Sequence, residues 1–252
     1  MYRASCAIHD QRITIHDPRA MDGVLIIDKP AGPTSHDVVS EVKAILSAKK
    51  VGHLGTLDPA ASGVLPLVIN SATKFAEKLS GQTKVYEFDL VLGAKTDTDD
   101  DQGKVVMEGE IPEDILDRID GIKNKFTGEI SQTPPAYSAV KVGGRPVYKM
   151  ARKGKPVSPE PRVVHIDELE VLGQRGTGRV RMRVRCSAGT YVRALCRDIG
   201  EAIGSFGHAS DIRRLQSGPY IIEDAITLDA FKELAAPYKL KRIKPLTSLT
   251  IS

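Results

Sequence analysis

Asp58 is the residue around which chemistry can be built. It stands in VGHLGTLDPAASGVLP, Val51 to Pro66, among Gly52, Gly55, Gly63, Pro59 and Pro66, with His53, Thr56 and Ser62 as the other strongly polar residues. Glycine lets backbone approach a ligand or another backbone closely, and proline fixes the turns around it. A carboxylate framed in this way is presented to something; a merely solvated acid needs no such frame. The chemistry open to it is attack on an electrophilic carbon or stabilisation of positive charge developing there. Taken alone, Gly55-Thr56-Leu57-Asp58-Pro59 also fits an ordinary turn in which Asp accepts bonds from its own backbone.

The flanking pattern predicts the elements that hold this loop. Gly23 to Asp28 reads as a short buried strand, and Pro30 to Pro33 turns the chain. Thr34 with Asp37 forms a capping-box pair, followed by Val38, Val39, Val42, Ile45 and Leu46 at helical spacing. After the loop, Val64 to Ile69 is an apolar strand and Ala72 to Leu79 a short helix. Val85 to Leu92 alternates, with Tyr86, Phe88, Leu90 and Leu92 on one face. Helices are expected over Ile111 to Ile122, begun by Pro112, over Val147 to Arg152, and over Tyr191 to Ile203, stopped by Gly204. Val163 to Leu172 and Arg179 to Cys186 are further strands. Strands and helices interleave without a regular βαβ rhythm, which predicts an α+β fold with a mixed sheet.

Four more blocks stand in order around the Asp58 loop: GVLIIDKPAGPTSHDVV (Gly23 to Val39), KVYEFDLVLGAKTDTDDDQG (Lys84 to Gly103), PPAYSAVKVGGRPVYKMARKG (Pro134 to Gly154) and GTYVRALCRDIGEAIG (Gly189 to Gly204). Together the five blocks resemble the TruB family of pseudouridine synthases, from about Gly23 to about Tyr220. The resemblance implies the pseudouridine synthase fold, a mostly antiparallel mixed sheet flanked by helices. It implies isomerisation of uridine to pseudouridine in the TΨC loop of tRNA, position 55 in bacterial members, with the T-arm stem-loop as partner. Uracil is detached from ribose C1′, rotated and rejoined through C5, which calls for no cofactor. A requirement for a protein partner is not expected, and monomer is the default. A guide-RNA-dependent synthase subunit and a non-catalytic tRNA-binding or folding factor are the rivals.

Residue by residue, the resemblance makes Asp58 the catalytic carboxylate. Arg193, in Gly-Thr-Tyr-Val-Arg, matches the active-site arginine, whose fork would pair with Asp58 and orient it; without the motif it reads as a surface helix arginine. Tyr86 matches the aromatic residue that stacks on the target base, its hydroxyl placed for deprotonation at C5. His53 corresponds to the histidine that fills the gap left by a flipped base. Lys29 aligns with a lysine supporting the catalytic loop. Tyr191 and Ile212 match pocket-lining positions, with Arg213 beside Ile212 a candidate RNA contact.

Composition agrees with an ordinary globular chain: 252 residues, 27% of them charged, no Trp, and a formal charge of +4 that permits a nucleic-acid partner without demanding one. No apolar run approaches the ~20 residues that span a bilayer, and no membrane partner is expected. Cys6, Cys186 and Cys196 are an odd number at no metal-ligand spacing, which fits reduced thiols and a cytoplasmic location. Residues 1–20 look like an appended or non-native segment without fixed structure. Residues 21–225 are expected to form the catalytic domain, and 226–252 a helix over Thr227 to Ala236 with a tail, too short for a complete C-terminal PUA domain. Arg179, Arg181, Arg183 and Arg185 alternate along one strand and suit either phosphate binding or, slightly better, a solvated face. Asp97 to Glu108 imitates a calcium loop, but Gly103 is one position late; a turn between strands is expected there and no metal.

Overall fold

Gly23–Lys29 forms β1, buried apart from Asp28. Thr34 then caps α1, Ser35–Leu46: its Oγ1 accepts the Asp37 N–H at 3.1 Å, and Asp37 Oδ2 accepts the Thr34 N–H at 2.8 Å. Val38, Val39, Val42 and Leu46 turn inward from this helix, as the spacing predicts. The structure is a computed structural model and describes residues 22–138, 140–142, 145–147 and 159–245. The expected N-terminal extension lies outside those residues, as does the helix expected over Val147 to Arg152 apart from Val147.

The chain continues through β2 (Val51–His53), β3 (Ser62–Ile69), α2 (Ala76–Ser80), β4 (Lys84–Leu92), β5 (Ala94–Thr96), β6 (Val105–Glu108) and α3 (Ile115–Ile122). There follow β7 (Gly128–Gln132), β8 (Lys141–Val142), β9 (Arg145–Pro146), β10 (Arg162–Gln174), β11 (Arg179–Cys186) and a helix we label α4 (Val192–Ala202). The last elements are β12 (Gly207–Ser217), β13 (Tyr220–Ile221), β14 (Ile226–Thr227), α5 (Leu228–Glu233) and α6 (Ala236–Lys241). One sheet runs β14-β1-β3-β12-β4-β11-β10-β7, with β2 added to β3 and β13 to β12. Its pairings are antiparallel except β1 with β14 and β3 with β12. This is the α+β, mostly antiparallel arrangement that the sequence implied.

Two buried clusters on the sheet meet at the site. One joins Phe88, Leu90, Met182 and Val184 to Leu195 and Ile199 of α4; the other joins Leu25, Ile27, Leu65 and Leu67 to Val38 and Val42 of α1. Tyr86 and Ile212 pack against both. Ile226, Leu228, Phe231 and Ile243 belong to the second cluster, so the C-terminal segment closes the same core.

Three expectations shift. The helix expected from Pro112 begins at Ile115, because Ile111 is needed in extended chain to lie over Gly93 and Gly178, where an added Cβ on either glycine would meet it at 2.8 Å. The single helix after Thr227 is two: Thr227 Oγ1 caps the first, and Pro237 opens the second in the first-turn position that proline favours. Residues 70–75 form a 3₁₀ turn ahead of α2 where one short helix was expected. The Asp97 to Glu108 segment is the expected turn between strands, linking β5 to β6.

Candidate active site

The loop between β2 and β3 is fastened from three sides, and Asp58 projects from it. Lys29, wholly buried at the end of β1, donates from Nζ to the carbonyls of Pro30 (2.8 Å), Pro33 (2.8 Å) and Pro59 (3.2 Å). Ser35, at the start of α1, donates Oγ–H to Leu57 O (2.9 Å) and accepts the Leu57 N–H (2.8 Å). Arg214 of β12 donates to the carbonyls of Gly55 (3.2 Å), Thr56 (3.3 Å) and Val64 (2.7 Å). Gly63 is required for this approach: its φ is +103°, and a Cβ would stand 2.2 Å from Arg214 O.

Arg193, in the first turn of α4, comes to the same point. Its Nε lies 2.9 Å from Asp58 Oδ2. That N–H is not aligned into a hydrogen bond, so the contact is an ion pair more than a directed bond. The two terminal nitrogens donate to Thr98 O (2.8 Å) and Tyr137 O (3.1 Å), and Asp100 lies 3.7 Å from Nη1. The guanidinium is therefore immobilised, whereas the Asp58 side chain remains 40% exposed.

Asp58 opens onto two connected spaces. A cavity of about 270 Å³ is lined by Asp58, Lys84, Tyr86, Tyr191, Ile212 and Arg214, with Arg193 at its edge. A cleft of about 990 Å³ shares Asp58, Arg193 and Ile212 and adds His36, His53 and Tyr137. Burial pushes the Tyr86 phenol above its ordinary pKa, with Arg214 pulling the other way. Burial also lowers His53, helped by Arg214 and His36, and its buried Nδ1 has no hydrogen-bond partner among the described residues. Both effects favour the neutral imidazole, which suits lying against a base or its gap. Burial brings Lys29 down to about 8, opposed by Asp58. Tyr191 is raised by burial, and its backbone N–H and C=O are held by the Gln132 amide at 2.8 and 3.1 Å.

Asp58, Tyr86, Arg193, Tyr191 and Ile212 are thus brought together, with His53 on the adjoining cleft and Lys29 beneath the loop. Arg213 goes elsewhere. Strand pairing sets Arg214 opposite Tyr86 and Arg213 opposite Glu87 on the other face. There Arg213 grips Asp28 (2.8 and 3.1 Å) and Ser62 (3.3 Å). Its neighbour Arg214, together with Ser35 and Lys84, was not picked out as a site residue by sequence; strand register, once known, is the signal that separates Arg214 from Arg213. The four arginines of β11 divide: Arg185 is exposed and Arg179 and Arg183 part-exposed, in keeping with a solvated face, whereas Arg181 is buried. Arg181 is buried between Glu87, Asp89 and Asp211, Arg179 pairs with Asp89, and Arg183 pairs with Glu87 and Glu170.

A mixed, mostly antiparallel sheet of this order, flanked by helices, is the fold of a pseudouridine synthase. Its solved likenesses include a Cbf5-Nop10-Gar1 complex (TM-score 0.70, 35% identity, 90% of this chain and 61% of that one). An H/ACA RNP bound to a substrate RNA containing 2′-deoxyuridine is similar (TM-score 0.68, 32% identity, 92% and 62%). The chain thus spans less than two thirds of the length of either. The model of the TruB family pseudouridylate synthase N-terminal domain matches residues 43–192, and that of the tRNA pseudouridylate synthase B C-terminal domain matches 193–249. The chain belongs to the TruB family of pseudouridylate synthases. Similar relatives include tRNA pseudouridine synthase B of Geobacillus kaustophilus, 47% identical over 222 residues (86% of this chain, 78% of the relative). Its counterpart in Francisella philomiragia is 42% identical over 232 residues (92% and 76%). The boundary between the two family models falls inside α4, and the sheet runs across it.

Proposed function

We propose that this chain isomerises uridine to pseudouridine in tRNA, at position 55 of the TΨC loop, with Asp58 as the catalytic carboxylate. The observation that carries the reading is the Asp58–Arg193 pair, 2.9 Å apart, facing a cavity walled by Tyr86, Tyr191 and Ile212. A carboxylate there meets the sugar carbon or the positive charge that develops on it as the base departs. Arg193 fixes its direction. Tyr86 stacks on the base and serves the proton at C5, Tyr191 and Ile212 hold the base edgewise, and His53 occupies the gap left by extrusion. Lys29 and Arg214 act one step back, by fixing the loop that carries Asp58. The partner is the T-arm stem-loop, recognised by its looped-out shape, with phosphate contacts that weaken in salt. Residues 21–225 are read as the catalytic unit, acting in the cytoplasm as a monomer without an obligatory protein partner. No cofactor is invoked, because the product is an isomer of the substrate.

The guide-dependent reading draws on the likeness to the Cbf5 chains, but at 32–35% identity this is outweighed by 42–47% to relatives named tRNA pseudouridine synthase B. Unmodified tRNA transcripts incubated with the purified chain test the proposal. Pseudouridine mapped by carbodiimide adducts and primer extension is expected at position 55 without added guide RNA. Modification elsewhere, or only when a guide is supplied, contradicts it.

A further inference from the structure

Asp58 attends to the sugar, but base departure creates a second charge. When the C1′–N1 bond breaks, both electrons stay on N1, and the uracil anion spreads its charge over N1, O2 and O4. A preorganised cation facing the departing base stabilises that state. Three cationic side chains line the small cavity: Lys84, Arg193 and Arg214. Arg193 is offset by Asp58 and Asp100. Arg214 is fastened to the carbonyls of Gly55, Thr56 and Val64.

Lys84 is placed differently. It is 5% exposed and lies two residues before Tyr86 on β4, so the two side chains share the face toward the cavity. Its Nζ makes one hydrogen bond, to Ser80 O at 3.2 Å, and no carboxylate pairs with it among the described residues. An ammonium carries three donors, so two remain for an occupant of the cavity. Burying a cation without a counter-ion is costly, and burial together with Arg214 brings its pKa down to about 8. A buried charge kept at that cost on a cavity wall points to use.

We propose that Lys84 contacts the substrate: its ammonium donates to a uracil carbonyl oxygen and stabilises the base as an anion between cleavage and rejoining. The inference rests on the isomerase reading above. The electron pair of the C1′–N1 bond leaves with uracil; after the base turns, C5 shares a pair with C1′. The C5 proton then leaves to a base and N1 gains a proton, so the product is an isomer. Lys84 stays an ammonium throughout.

The test measures single-turnover glycosidic cleavage of T-arm stem-loops bearing uridine or 5-fluorouridine, with binding followed in parallel. Fluorine withdraws electrons and stabilises the uracil anion, so a missing cation matters less. Lys84→Met is expected to bind within about 3-fold of wild type and to cleave uridine about 100-fold more slowly. Its deficit should shrink by at least about 5-fold on 5-fluorouridine, and Lys84→Arg should retain more activity than Lys84→Met. Should Lys84→Met fail to fold by circular dichroism, Lys84→Gln takes its place. A Met or Gln variant within about 3-fold of wild type on uridine, equal deficits on the two bases, or equal losses in the Met and Arg variants each overturns the role. Wild type that cleaves neither base overturns the isomerase reading instead, whatever Lys84 does.

Discussion

The molecule uses arginine and carboxylate twice, on opposite faces of one sheet, to different ends. On the outer face, Arg179, Arg181 and Arg183 are met by Glu87, Asp89, Asp211 and Glu170, and each charge has a neighbour of opposite sign. At the cavity, Arg193 is immobilised by two carbonyls while its partner Asp58 is left part-exposed with a single ion pair. Lys84 and Arg214 stand nearby without a paired carboxylate among the described residues. The first region satisfies its charges within the protein. The second leaves charge unmet where a substrate can meet it. The same residue types thus differ between the two regions in what they leave unsatisfied, which under the proposed function separates a structural pair from a chemical one.

The comparison breaks most severely at Arg181. Removing it takes the most buried partner from Asp89 and Glu87, which keep the part-exposed Arg179 and Arg183, so Arg181→Met should lose about 1.5–3 kcal/mol of unfolding free energy. Urea denaturation followed by circular dichroism checks this. Arg193→Lys should do the reverse: it leaves a charge but not the fork, lowering kcat about 100-fold, roughly 2.7 kcal/mol of barrier, with stability far less affected. Single-turnover kinetics beside a melting curve separates the two. If Arg193→Lys unfolds the chain as Arg181→Met does, with kcat of the folded fraction intact, the two regions are not distinct in kind.

A smaller effect concerns pH. Lys29 and Lys84 titrate near 8 in the folded chain against 10.5 when unfolded. Between these values the unfolded chain binds more protons, so stability rises with pH. From pH 8 to 9 the gain should be on the order of 1 kcal/mol per lysine. Above 9 the Cys186 thiol, pushed up to about 11 by burial, works in the opposite direction. Denaturation at pH 8 and 9 should show the rise, and Lys29→Met with Lys84→Met should flatten it; a fall over that interval in the wild type contradicts the assignment. Smallest is Arg183→Ala on the solvent side of the ladder. Its pairs are part-exposed, so a loss under about 1 kcal/mol with unchanged turnover is expected.

What the sequence made legible was local or apolar. The Thr34–Asp37 box announces α1 because both partners lie within one turn, and β1, β3 and β4 announce themselves by apolar content. β12 was not foreseen although it lies in the middle of the sheet. Its residues, GHASDIRRLQS, are mostly polar because their partners are polar too: Asp211 meets Arg181, Arg213 meets Asp28, and Arg214 meets the Asp58 loop. Hydrophobic alternation cannot report a strand whose neighbours supply charge. The same strand explains why Arg213, not Arg214, drew attention: adjacent residues point to opposite faces, and only the register with Tyr86 and Glu87 decides which one enters the site. Asp58 was legible because glycine and proline framing is a property of the segment itself. Lys84 was visible only as part of a motif around Tyr86, since burial and the lack of a counter-ion belong to the folded state.

The central claim is that Asp58, held by Arg193 and left part-exposed to the cavity, performs the isomerisation. The most direct measurement is tritium release from a T-arm stem-loop labelled at C5 of the target uridine, with wild type beside Asp58→Asn and binding of both measured. Release by wild type, no detectable release by the Asn variant and similar binding is the predicted result. Equal release from both would remove Asp58 from the chemistry; no release from either, with binding intact, would make the chain a binding factor or a guide-dependent enzyme.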